Sequence, residues 1–79
     1  MAALHLSTSD VRYRVLNKLR QCRGQRAYPE SLLDCLESDQ KTPQRLHNTC
    51  TTLFQHHCVI KVRGMYQLTS DGVSLLERV

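Results

Sequence analysis

Apolar residues recur along this chain at helical spacing in four places and give way to a strand-like pattern once. Val11, Val15, Leu19 and Cys22, broadened by Leu16, predict a first helix over about Asp10 to Arg23. Ser7 or Ser9 can cap it, Asp10 suits its opening turn, and Gly24 can end it. Leu32, Leu33 and Leu36, with Cys35 nearby, predict a short helix from Pro29 to Leu36 or Glu37, with Glu30 favourably placed at its start. Ser38 to Lys41 reads as a polar turn. Thr42 then caps a third helix that begins at Pro43. In that helix Leu46, Cys50, Leu53, Phe54 and His57 fall on one face. Gln44, Asn48, Thr51 and Gln55 fall on the other, with Arg45 and Thr52 beside them.

The next stretch changes period. Cys58 to Lys61 or Arg63 predicts a strand, Arg63-Gly64 a tight turn, and Met65 to Leu68 the returning strand of a hairpin. Thr69 or Ser70 caps a last helix, Asp71 complements its N-terminus, and Val73, Leu75 and Leu76 turn inward. Gly72 costs that helix stability, so it is expected where a side chain would collide with a neighbouring backbone. The 79 residues read as a single domain, with residues 1–6 as a flexible arm. The fold class is mainly α with a small β-hairpin.

Composition narrows this picture. With 41% apolar residues, 5% aromatic and no Trp, the core must be small and aliphatic, and association with a second copy would help it. No apolar run approaches a membrane span, and MAALHLSTSD lacks the long apolar region of a signal peptide, so a cytoplasmic protein is expected. Cys22, Cys35 and Cys50 share the spacing of apolar neighbours and Cys58 leads into a strand, so all four are read as reduced. The net charge of +4 permits a polyanionic partner, and its distribution says more. Arg12, Arg14, Lys18, Arg20, Arg23 and Arg26 form a run free of acid, while Glu30, Asp34, Glu37 and Asp39 form one free of base. From Lys41 to Arg63 the sign is again wholly positive. A surface made by the first helix, the third helix and the hairpin would therefore suit phosphates.

Four sequence features in order carry a resemblance. Val15-Leu16-x-x-Leu19 looks like the first helix of winged helix-turn-helix domains, and Leu46 with Leu53-Phe54 like the core side of their recognition helix. Val59-Ile60 resembles the start of the wing, and Tyr66-x-Leu68-Thr69-x-x-Gly72-x-x-Leu75-Leu76 resembles the wing exit of small bacterial and phage regulators. The resemblance covers Asp10 to Val79. It implies a three-helix core, a short two-stranded wing and a C-terminal helix packed on the first. Many members have Gly between recognition helix and wing, where this chain has His57-Cys58. The short wing, with Arg63-Gly64 at its tip, argues against deep insertion into a minor groove.

The implied function is sequence-specific binding of double-stranded DNA as a small transcriptional regulator, with a homodimer on a two-fold-related site as the natural arrangement. Gln44, Arg45, Asn48, Thr51 and Gln55 would read bases in the major groove: Asn and Gln pair bidentately with adenine, Arg with guanine, and Thr can meet a thymine methyl. Lys41, His47, Lys61, Arg63, Arg12 and Arg14 would contact the DNA backbone, which positions a domain without reading sequence. The alternative is a winged-helix protein-interaction module, an adaptor or inhibitor of a host or partner protein, using an apolar patch around Leu4, Leu6 and Tyr13.

Other chemistries have weaker footing. Cys50, His56, His57 and Cys58 are ligand types, but they lack the spacing of a compact zinc site, so no metal or cofactor is expected. No nucleophile elbow, phosphate loop or zinc-protease motif is present, and the chain is not expected to be an enzyme.

Overall fold

Asp10 starts the first helix by capping it. In the computed structural model, which describes residues 10–36 and 41–78, the Asp10 carboxylate accepts the Arg12 backbone N–H at 2.9 Å and α1 runs over Val11–Gln21. Asp10 is thus the cap, where an opening-turn position was expected. The proposed caps Ser7 and Ser9, the arm over residues 1–6 and the polar turn at 38–40 lie outside the described residues. The helix stops at Gln21, short of the expected Arg23, because Cys22 is already extended and its N–H closes the last turn on the Lys18 and Leu19 carbonyls.

Gly24 and Gln25, at φ +71° and +56°, then swing the chain through a 3₁₀ turn over Arg23–Gln25 into a two-residue strand, β1, Arg26–Ala27. Two residues are too few to show a period of two, which is why this strand leaves no mark on the hydropathy pattern. α2 spans Pro29–Leu33, shorter than expected. Beyond it the Cys35 and Leu36 N–H groups reach back three residues to Leu32 and Leu33, so the chain tightens, and Leu36 stays buried.

α3, Pro43–Gln55, begins as expected, with the Thr42 hydroxyl accepting the Arg45 N–H at 3.1 Å. Its end is a Schellman motif: the His57 N–H donates to Phe54 O and the Cys58 N–H to Leu53 O, with His57 at φ +62°. A left-handed conformation strains a β-carbon-bearing residue, and glycine removes that strain. His57→Gly is therefore expected to stabilise the domain by about 0.5 kcal/mol, after the entropy glycine adds to the unfolded chain. Equilibrium urea unfolding would measure it.

The chain closes with β2, Val59–Val62, β3, Met65–Leu68, and α4, Ser70–Glu77. Arg63 and Gly64 join the hairpin at φ +53° and +83°, the conformation of a two-residue turn that matches strand twist. β3 pairs antiparallel with both neighbours, Tyr66 lying opposite Lys61 on one side and Ala27 on the other. The sheet is therefore three-stranded in the order β1-β3-β2, and the two-stranded reading is corrected.

The fold is mainly helical with this small antiparallel sheet. α1 packs against α3 and α4, and α2 against α3. Val15, Leu16 and Leu19 of α1 meet Leu32, Leu46, Cys50, Leu53, Val59, Leu68, Leu75 and Leu76 in one core. Leu75 and Leu76 are buried as expected, with Val73 partly so. All four cysteines are free, and burial pushes the Cys50 thiol up to about 12.

Two expected core positions are not core. Phe54 is 53% exposed and His57 is exposed, while Thr49 is buried in their place. Leu46, Cys50 and Leu53 already fill the inward arc of α3, which leaves Phe54 at its edge. His57 has left the helix altogether. Thr49 satisfies its hydroxyl by donating to the Arg45 carbonyl at 2.8 Å.

Candidate nucleic-acid interface

α3 presents a long exposed face. Gln44, Asn48, Thr51 and Gln55 are all exposed and lie opposite the buried Leu46, Cys50 and Leu53. Gln44 and Gln55 are eleven positions apart in sequence, about 16 Å along a helix axis. Gln44 Nε2 donates to Asn48 Oδ1 at 3.0 Å, which aligns the two amides. The Asn48 amide nitrogen and the Gln44 carbonyl oxygen remain to serve as donor and acceptor, the pair an adenine edge requires. Thr51 and Thr52 donate their hydroxyls to the His47 and Asn48 carbonyls at 2.8 and 3.1 Å. Their methyl groups and oxygen lone pairs are what remain to offer a partner.

A cleft flanks this face on each side. Toward α1, an open cleft of about 480 Å³ brings Arg12 together with Gln44, Arg45, Asn48 and Thr52. Toward the sheet, His47, Thr51 and Phe54 line a cleft of about 280 Å³ with Lys61 and Tyr66. Lys61 Nζ stands 5.7 Å from the centre of the Tyr66 ring, close enough for a cation–π contact that holds the ammonium against the cleft wall. His47 and Lys61 also line a third cleft with Pro29, Glu30 and Pro43.

The basic residues expected on a DNA backbone are not equivalent. Lys61 and the turn residue Arg63 are exposed, and among the described residues no carboxylate pairs with them or with Arg45. Arg12 is held by Asp10, with Nη2 to Oδ2 at 2.6 Å and Nε within reach of both oxygens. That contact lowers the Asp10 pKa and raises that of Arg12, so much of the Arg12 charge is already answered. Arg14 lies away from Arg12, in a cleft with Tyr13, Asn17, Lys18, Gln21 and Cys35. Lys41 is exposed and reaches Asp34 at 4.0 Å, a loose surface pair.

α3, β2 and β3 contain no carboxylate. The α3 face is accordingly free of acid and rich in uncharged donors and acceptors, and Glu30 of α2 is the carboxylate that borders its sheet-side flank, in the cleft it shares with His47 and Lys61. Phe54 belongs to this surface, although its spacing one turn from Cys50 predicts a place on the apolar face. Its place 100° beyond Leu53, at the arc's edge, is the signal that distinguishes it. Among the described residues no group of three His, Cys, Asp or Glu side chains comes together. No known protein family, no curated protein and no solved structure matches the chain.

Proposed function

We propose that the chain is a winged helix-turn-helix domain that binds double-stranded DNA, with α3 in the major groove and the β2–β3 hairpin as a short wing on the backbone. The observation that carries this reading is the exposed, carboxylate-free face of α3 bordered by Lys61 and Arg63, which no carboxylate pairs with among the described residues. The order helix, strand, helix, helix, strand, strand, with the first strand beside the hairpin, supports the fold reading. Arg45, Asn48 and Gln44 supply base-edge hydrogen bonds, Thr51 an apolar contact, and Lys61 and Arg63 phosphate contacts. Gln55 reads bases only if the groove follows α3 to its last turn. Arg14 is a poor backbone candidate, being in the cleft beside Cys35.

One such domain covers few base pairs, so useful affinity calls for two copies on a two-fold-related site and a role as a small transcriptional regulator. The test is retention of a random-sequence duplex library at two salt concentrations, followed by sequencing of what is bound. An enriched motif is expected, palindromic if the chain acts as a homodimer. No retention at low salt would remove the DNA reading.

Positioning residues should behave differently from reading residues. Lys61→Ala and Arg63→Asn are each expected to weaken all duplexes alike and to reduce the slope of log affinity against log salt by about 1. Asn replaces Arg63 because it tolerates the φ of +53° while removing the charge. Fluorescence anisotropy over a salt series would measure both.

A second reading, protein interaction, rests on the outer side of the sheet. Ile60 is 43% exposed there and shares its face with half-buried Val62 and Met65. Under that reading Ile60→Asp abolishes partner capture while duplex binding is absent in the parent chain.

A further inference from the structure

Phe54 is used neither by the core nor by the polar stripe. It is the chain's single Phe, at 53% exposure, and it lies one helical turn beyond Thr51 on the sheet side of α3. With His47, Cys50, Thr51, Lys61 and Tyr66 it lines the cleft of about 280 Å³. The Thr51 hydroxyl is turned back onto the His47 carbonyl, so its donor is spent, and Thr51 lines the same cleft as Phe54. No carboxylate lines this cleft, and its cationic member is Lys61, held near the Tyr66 ring. An apolar surface that holds a cation and meets the polar stripe of α3 at Thr51 suits a polyanion that carries a small apolar group on a polar edge. In the major groove that group is the C5-methyl of thymine.

We propose that Phe54, with Thr51, takes the C5-methyl group of a thymine and is a specificity-determining residue of the interface. This rests on the DNA-binding reading. The cation Lys61 and the lack of acid in the cleft, together with Thr51, which the cleft shares with the polar stripe of α3, favour DNA over a protein as what covers the ring.

The test uses the duplex enriched from the random library and versions of it in which each thymine in turn is replaced by deoxyuridine, which lacks only that methyl. The parent chain is expected to lose about fourfold in affinity at one thymine, the worth of one buried methyl-sized group. Phe54→Ala is expected to bind the thymine and deoxyuridine forms equally there, and Phe54→Leu to keep part of the discrimination. Thermal melts of both variants establish that they fold, which an exposed position should permit. Unchanged discrimination in Phe54→Ala overturns the inference while DNA binding stands. So does an equal loss on both duplexes, or an enriched site without a methyl-sensitive thymine. No duplex binding by the parent chain overturns both readings.

Discussion

Gly72→Ala is expected to lower the melting temperature by about 10 °C, a loss of roughly 2 kcal/mol in a domain of this size. A methyl group on Gly72 would overlap the Cys58 carbonyl oxygen and the Leu68 side chain. The carbonyl is backbone and cannot swing aside. It is also engaged, accepting the Thr69 N–H at 3.0 Å. Alanine's better helix propensity, about 1 kcal/mol, offsets only part of the overpacking. Thr69 is the other half of the same joint. Its hydroxyl donates to the His57 carbonyl and accepts the Gly72 N–H at 3.1 Å, so one side chain ties the end of α3 to the start of α4. Thr69→Val keeps the shape and removes both hydrogen bonds, and is expected to cost about 1–2 kcal/mol as a lost N-cap. Calorimetry on both variants would check this. A Gly72→Ala chain as stable as the parent would mean that α4 is free to shift away from β2.

The second large effect concerns binding. Arg45→Ala combined with Asn48→Ala is expected to weaken the enriched duplex at least 100-fold and to leave affinity for random duplex within a few-fold of the parent. Each bidentate base contact is worth about 1–3 kcal/mol of discrimination, so losing two removes most of a sequence preference. The two losses should not add fully, because Asn48 also orients the Gln44 amide through their 3.0 Å hydrogen bond. Lys61 and Arg63 lie across the sheet-side flank and would still hold phosphates, so the salt dependence should persist. Competition titration with specific and random duplexes separates the two quantities. Equal losses on both would show that Arg45 and Asn48 act on the backbone, and would end the division between reading and positioning residues.

The largest features were determined by local physics written in adjacent residues. Thr42-Pro43 starts α3, Arg63-Gly64 turns the hairpin, and Leu68-Thr69 leads into α4, because caps and tight turns depend on a few consecutive positions. The polar stripe from Gln44 to Gln55 is equally local, being a consequence of helical spacing alone. The close approach at Gly72 could be anticipated, since glycine inside a short helix needs a reason.

Tertiary structure decided the rest. β1 exists because β3 has a free edge for Arg26 and Ala27, and two residues cannot advertise that in their own pattern. Phe54 lies at the edge of the inward arc of α3, and whether such an edge position is buried depends on how far α1 and the sheet reach around the helix. Arg12 and Arg14 look alike in sequence, yet one is held by Asp10 beside α3 and the other lies in the cleft beside Cys35. Charge in a sequence is a sum, whereas a surface is an arrangement. Which basic and apolar groups flank the α3 face was settled only when the helices and the sheet packed together.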